Sequence, residues 1–312
     1  MARFDLMSDS DCWRKMPAPF ITSICGYRDG RPNTSDANDT QSKELGTTFF
    51  DAMGISRNSA PPSQAVGNYM SELMTADLAN YFSAQDLDLA VEPEKAFPRF
   101  EQFLHLNVTK ELGSNMAKDV VSAIADLETY AARNKIEPEL SARLEEHLVR
   151  IRSEVQRAED RRRDLLDVLG QESLLKLDVT VSRTIENKVD PSTPLQHLLA
   201  GFSLKWTLRT DRAQDCRSQG AKMAALRRGR MPHFATVTME PRPSMLALLG
   251  RGSGDVDCVY HLHLPALTEA IDDYCSGTKR KGRLGIRDNF RRLCDQRRVR
   301  DYDELRSYTA TL

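Results

Sequence analysis

The chain has 312 residues, 40% of them hydrophobic, and a formal net charge of −1. That is enough apolar content for one large globular domain or two modest ones, and too little net charge for a uniformly basic coat on nucleic acid. No run of about 18 apolar residues is present, so no membrane span is expected. The start, "MARFDLMSDSDCWRKM", lacks the apolar core of a secretory leader, and six cysteines without paired spacing fit a reducing cytoplasm.

In chain order, residues 26–48 are polar and turn-rich and read as a loop or arm. Residues 61–82 open on two prolines and then space Val66, Met70, Leu73, Met74 and Leu78 as one helical face. Residues 114–133 and 138–170 also read as helices. In the second, Leu140, Leu144, Leu148, Ile151 and Val155 form a stripe, expected to serve core or subunit packing over too few heptads for a coiled coil. The following "RAEDRRRD" interleaves acids with arginines, as a solvated helix face does.

Past Gly170 the texture changes. "LLKLDVTVSR" alternates Leu177, Val179 and Val181 with Asp178, Thr180 and Ser182, as a strand does. "ENKVDPSTP" is a turn region. A strand through Phe202, a helix over "DRAQDCRSQGAKMAALRRGR" and a strand in "PHFATVTMEP" follow. Then come a short helix or loop in "RPSMLALLGRGSGD", a strand in "VDCVYHLHL" and a helix with Pro265 near its first turn. Strands interleaved with helices imply a mixed sheet covered by helices. Within "DCVYHLH", strand alternation sends Cys258 to one face and His261 and His263 to the other, which disfavours a zinc site.

Charge is unevenly spread. From Lys176 onward 24 Lys and Arg face 16 Asp and Glu, a balance of +8, while the preceding part carries −9. Such asymmetry suggests a polyanionic partner for the C-terminal half; scattered surface charge is the plainer alternative.

One stretch of that half stands out. In "FSLKWTLRTDR", Phe202, Leu204, Trp206 and Leu208 share one face of a strand, and Ser203, Lys205, Thr207 and Arg209 the other. A lysine inside a buried strand needs an anion, from the protein or from a ligand. Asp178 lies on the polar face of the neighbouring strand candidate, and a hairpin-like connection would bring the two together. A carboxylate and a lysine at a sheet end suit metal-assisted phosphodiester hydrolysis. The aspartate offers oxygen to a hard divalent ion, and the lysine adds positive charge where negative charge gathers. A structural Asp–Lys pair is the competing reading. Beyond it, Arg209, Asp211 and Arg212 have the chemistry of a major-groove reader: arginine pairs with guanine O6 and N7, aspartate accepts from cytosine N4. An N-cap aspartate with flanking surface arginines is the alternative.

"SLKWTLRTDRAQDCRSQG", "RRGRMPHFATVTMEPRPS" and "GSGDVDCVYHLHL" together resemble the type II restriction endonucleases that cut CCGG-containing sites, above all the NgoMIV group. The similarity is dense over about residues 200–264 and weaker at 33–72 and 177–183. The resemblance implies an α/β fold with a restriction-endonuclease-like core of the PD-(D/E)XK type: a mixed central β-sheet flanked by helices, with an added helical region. The chain is then a single domain over 1–312: a DNA-contacting arm and helix (1–84), a helical region (85–175), the catalytic and base-reading sheet core (176–275) and a helical tail (276–312).

The function so implied is sequence-specific, Mg²⁺-dependent cleavage of double-stranded DNA at a palindrome containing CCGG, with one or two ions per active site. Water would attack directly, leaving a 5′-phosphate and four-base 5′ overhangs. The implied partners are double-stranded DNA, a second or further copies in a homodimer or homotetramer, and a cognate DNA methyltransferase, in the cytoplasm without a membrane. Carried over residue by residue, Asp178 is the metal-binding aspartate, Ser203 and Lys205 the (S/T)xK pair, and the Leu204 backbone carbonyl a further metal ligand. Arg209, Asp211 and Arg212 match the readers of the CCGG core, and Gln64 a glutamine approaching from the minor groove.

Departures accompany the match. Leu177 stands where the family has proline, and the interval from Asp178 to Lys205 is shorter. Gln219 replaces a second acidic metal ligand. The N-terminal catalytic glutamate aligns with Ser71, and Glu72 is one position off, about 100° around a helix. Asn38 and Met245 occupy the positions that read the outer base pair, which predicts a retained core with altered or relaxed flanking bases. A sequence-specific DNA-binding protein on the same fold that no longer cuts, or a repair nuclease, are the competing functions.

Overall fold

The computed structural model describes residues 18–58, 60–61, 63–107, 116–134, 137–169, 175–252, 254–276 and 281–312. The elements run α1 (Ile21–Ile24), β1 (Tyr27–Arg28), β2 (Arg31–Pro32), α2 (Thr40–Ala52), α3 (Ser63–Ser83), β3 (Ala90–Ala96), α4 (Met116–Arg133) and α5 (Pro138–Leu169). They continue β4 (Lys176–Ile185), β5 (Leu195–Lys205), α6 (Thr210–Leu226), β6 (His233–Thr238), α7 (Pro243–Gly250) and β7 (Cys258–His261). The chain closes with α8 (Leu264–Cys275), α9 (Lys281–Asp295), β8 (Val299–Asp301) and α10 (Tyr302–Thr309).

Two compact units divide the chain: Met1–Lys95, Arg99–Gln102 and Lys176–Leu312 form one, and Ala96–Pro98 with Phe103–Leu175 the other. The second unit pairs α4 with α5. Ile124 and Leu148 are buried there, and Arg152 reaches Glu128 at 2.6 Å across the pair. The expected stripe is buried only at Leu148; Leu140 and Ile151 are exposed. The charge-dense turns pair internally, Arg157 with Glu154 and Arg162 with Glu159.

The first unit holds most of a six-stranded sheet in the order β3-β4-β5-β6-β7-β8. β4 and β5 are antiparallel, with Val179 opposite Phe202 and a bulge between Val181 and Ser182. β5 through β8 run parallel. The mixed sheet flanked by helices is the expected α/β architecture. Val179, Val181, Ala200, Phe202, Ala235, Val237 and Val259 fill its core with almost no exposure, and β6 and β7 are buried at every position, on both faces of the sheet.

Elements differ from expectation where local chemistry outweighs pattern. The strand through Phe202 ends at Lys205, not at Arg209. Ser203, assigned to the polar face, is itself buried, its Oγ 3.4 Å from the Cys216 Sγ on α6. The arm at 26–48 contains the β1–β2 hairpin and the start of α2, which Asp39 caps by accepting from Ser42 N–H at 3.2 Å. His263 caps α8, its Nδ1 accepting from Ala266 N–H at 3.3 Å, and burial holds it near a pKa of about 4. His263 thus serves the fold.

α6 lies close to the loop before β7. A Cβ on Gly220 would stand 1.8 Å from the Asp255 carbonyl oxygen, so only glycine admits this approach. Gly220→Ala is expected to destabilise the protein by about 1–3 kcal/mol through overpacking. Gly67 in α3 meets nothing within 4 Å, and Gly67→Ala should stabilise by about 0.5–1 kcal/mol. Chemical denaturation of both variants checks the contrast; equal effects would contradict it.

Candidate active site

The regular ladder between β4 and β5 stops at Val179–Phe202. One residue further, the Asp178 side chain takes over: its Oδ2 accepts the Leu204 N–H at 2.6 Å. Ser71 of α3 donates from Oγ to the Asp178 carbonyl oxygen at 2.8 Å. Gln219 of α6 donates its side-chain amide to the Lys176 carbonyl. A helix on each side therefore braces the stretch that presents the carboxylate.

Burial raises the Asp178 carboxyl above the ordinary carboxylate range. The Leu204 N–H and the Lys205 charge pull it down, and the Glu94 charge pushes it up. Lys205 thus acts on Asp178 through space, and no ion pair within 4 Å joins them among the described residues. A half-buried carboxylate held by one backbone donor and no salt bridge is under-compensated, which is the condition a hard cation relieves. Together with the adjacent Leu204 carbonyl it offers oxygen, the donor chemistry a hard divalent ion takes. No group of three or more His, Cys, Asp or Glu side chains capable of holding a metal occurs among the described residues.

The residues with base-reading chemistry follow directly. Arg209 is the N-cap residue of α6, and Asp211 lies in its first turn. Arg209, Asp211 and Arg212 are all exposed at this junction. Arg212 Nη1 donates to the Thr207 carbonyl and hydroxyl, each at 3.3 Å. A cleft of about 530 Å³ opens beside them, lined by Lys205, Trp206, Thr207 and Arg212 and by Arg28 and Gly67. Gln64 lies in the first turn of α3, near Gly67 in sequence, and its side chain is outside the described residues.

What fixes the junction is a buried ion pair. Glu240 is fully buried and Arg242 is 4% exposed. Glu240 Oε1 accepts from Arg242 Nε at 2.6 Å and Arg242 N–H at 3.0 Å; Oε2 accepts from Leu208 N–H at 2.8 Å. Arg242 Nη2 donates to the Leu208 carbonyl at 2.9 Å, and Nη1 to Asp39 Oδ2 at 2.9 Å. Both backbone groups of Leu208, one residue before Arg209, are therefore held by side chains. Burial opposes the Arg242 charge, but Glu240 and Asp39 outweigh it and hold the guanidinium above its ordinary range. Asp36 extends the network, 3.8 Å from Arg242 and 4.0 Å from Arg209. Asn38 and Met245, the outer-base candidates, each bond by backbone N–H to a member of it: Asn38 to Asp36 Oδ1 at 3.0 Å, Met245 to the Arg242 carbonyl at 3.1 Å.

The expected residues divide. Asp178, Lys205, Leu204 and Gln219 gather at the open end of the β4–β5 pair, and Ser203 points into the α6 packing. Glu72 is exposed on α3 while Ser71 faces Asp178. Glu72 thus lies one position from the α3 residue that contacts the Asp178 backbone. The Glu240–Arg242 pair escaped sequence reading, although a charged "MEPRPS" between two apolar elements was the available signal. Glu94 escaped it as well.

Residues 186–306 match the NgoMIV restriction enzyme family. The type II restriction enzyme NgoMIV of Neisseria gonorrhoeae is 46% identical over 78 residues, which is 25% of this chain and 27% of that protein. The match thus spans about a quarter of that relative's length. Over this region the chain is similar to NgoMIV-type restriction enzymes, and the matched residues contribute β5 to β8 of the mixed α/β sheet.

Two stability effects follow. Asp178→Asn keeps an acceptor for Leu204 N–H and removes an under-compensated charge, so the metal-free variant should melt above the wild type at pH 7. Arg242→Met leaves Glu240 buried and unpaired and should cost about 3–5 kcal/mol. Differential scanning calorimetry reads both; a lower midpoint for Asp178→Asn would contradict the first, and an unchanged one for Arg242→Met the second.

Proposed function

We propose that the protein is a Mg²⁺-dependent, sequence-specific double-strand DNA endonuclease that cuts at a palindrome containing CCGG. The observation that carries this reading is the placement of Asp178 and Lys205 at one strand end, with Arg209, Asp211 and Arg212 beginning four residues beyond the lysine. The 46% identity to a type II restriction enzyme supports it.

When bound, the divalent ion supplies Lewis acidity and neutralises phosphoryl charge. Asp178 and the Leu204 carbonyl hold it. The Lys205 ammonium lies where it stabilises negative charge on the phosphoryl oxygens and orients the attacking water. Hydrolysis by water leaves a 5′-phosphate, and a cut before the first C gives four-base 5′ overhangs. Arg209 and Arg212 donate to guanine edges, and Asp211 accepts from cytosine N4. Each monomer reads half of the palindrome, so at least a homodimer acts, and a homotetramer fits the same symmetry. A cognate DNA methyltransferase is the expected companion. The altered outer positions Asn38 and Met245 lack arginine chemistry and favour flanking bases unlike those of an arginine reader.

A second reading has its own observation. Glu72 is exposed and the Gln219 amide is spent on the Lys176 carbonyl, which favours a protein that binds its site without cutting. Lys205→Ala separates the two. On the endonuclease reading this variant loses cleavage in Mg²⁺ but still shifts a CCGG duplex in Ca²⁺. A wild type that binds and never nicks, even in Mn²⁺, would favour the second reading. Asp211→Ala should lose about 1–3 kcal/mol of discrimination per base contact removed, read as the ratio of affinities for CCGG and a mismatched duplex; an unchanged ratio would rule out its reading role.

A further inference from the structure

Asp178 has an acidic neighbour that the sequence pattern hid. Glu94 lies in β3, the edge strand beside β4. Two contacts join the strands on either side of it. Thr180 Oγ1 donates to the Glu92 carbonyl at 3.0 Å, and Phe97 N–H donates to the Leu175 carbonyl at 3.2 Å. β3 advances from 92 to 97 as β4 retreats from 180 to 175, so the strands run antiparallel, and Glu94 and Asp178 both lie between these two contacts.

Three further features set Glu94 apart. Its backbone is left-handed, with φ of 49°, a conformation that costs a non-glycine residue about 1–2 kcal/mol. Its side chain is exposed, so no core packing compensates that cost. Lys95 and Arg99 pair instead with Glu92, at 3.0 and 4.0 Å, and no ion pair or side-chain hydrogen bond engages Glu94 among the described residues. Its charge instead reaches Asp178, raising that carboxyl. Two carboxylates left to repel each other across a strand pair are stabilised when a dication lies between them.

The coordination needs such a group. A hard cation takes about six oxygens, and Asp178 with the Leu204 carbonyl offers few. Glu72 is exposed on α3, and Gln219 is a neutral amide whose nitrogen donates to the Lys176 carbonyl. We propose that Glu94 is the second carboxylate of the catalytic centre, holding the divalent cation together with Asp178 and the Leu204 carbonyl. The proposal rests on the endonuclease reading of the Asp178–Lys205 site. It moves the second acidic ligand from the helices, where the family pattern puts it, to the sheet edge.

The test is a Mn²⁺ titration of the full chain followed by electron paramagnetic resonance of the free ion, in wild type, Glu94→Gln, Glu72→Gln and Asp178→Asn. Glu94→Gln is expected to weaken the tight site about tenfold or more, on the scale of effects at metal centres, and Glu72→Gln to leave it unchanged. Glu94→Asp, which keeps the charge on a shorter arm, should recover part of the loss. It also guards against a folding defect in the amide variant, which circular dichroism would reveal. Wild-type affinity in Glu94→Gln, with binding lost in Asp178→Asn, would overturn the role of Glu94 and leave the site intact. A wild type with no Mn²⁺ site that depends on Asp178 would overturn the endonuclease reading and this proposal with it.

Discussion

The buried pair of Glu240 and Arg242 is the constraint on which the rest depends. Two charges removed from water are costly unless every donor and acceptor is met. Here the partners are the N–H and C=O of Leu208, the Arg242 N–H and the α2 cap Asp39. The pair therefore holds three pieces of chain at once: the exit of β5, the entry to α7 and the start of α2. A hydrophobic plug of the same volume could fill the space. It could not dictate the direction of the Leu208 peptide, and that peptide aims Arg209 and the helix behind it.

On the proposed function, strand β5 carries two tasks on one rod. Near its end, Leu204 donates its N–H to the Asp178 carboxylate, and the charge of Lys205 acts on the same group. Four residues beyond Lys205 the arginine–aspartate–arginine series begins. Rigid parallel neighbours on one side and α6 on the other leave little freedom between them. A nuclease that reads and cuts at a fixed offset needs this kind of connection, because a displacement of about 1 Å at the reacting phosphate is costly in rate. The tight approach of α6 at Gly220 belongs to the same design.

Much of this was legible in the sequence. Alternation and caps gave the order from β4 to α8, and the lysine in an apolar strand pointed to an anion. The misses have physical causes. β3 holds Pro93 and three charged residues, the marks of an edge strand, and these mask its alternation. β8 is three residues long, below what periodicity can register. The arm at 26–48 hid a helix because its start depends on one cap, Asp39, and its burial on Leu45 and Phe49 packing far from their sequence neighbours. Glu94 was invisible because register across an edge strand is a tertiary fact.

The central claim is that one strand sets the distance between the bond cut and the bases read. Sequencing the ends of genomic DNA digested by the wild-type protein in Mg²⁺ measures that distance directly. The account predicts that every end carries a 5′-phosphate and a four-base overhang at a constant position relative to CCGG. Ends scattered around CCGG, or ends with no shared sequence, would contradict it.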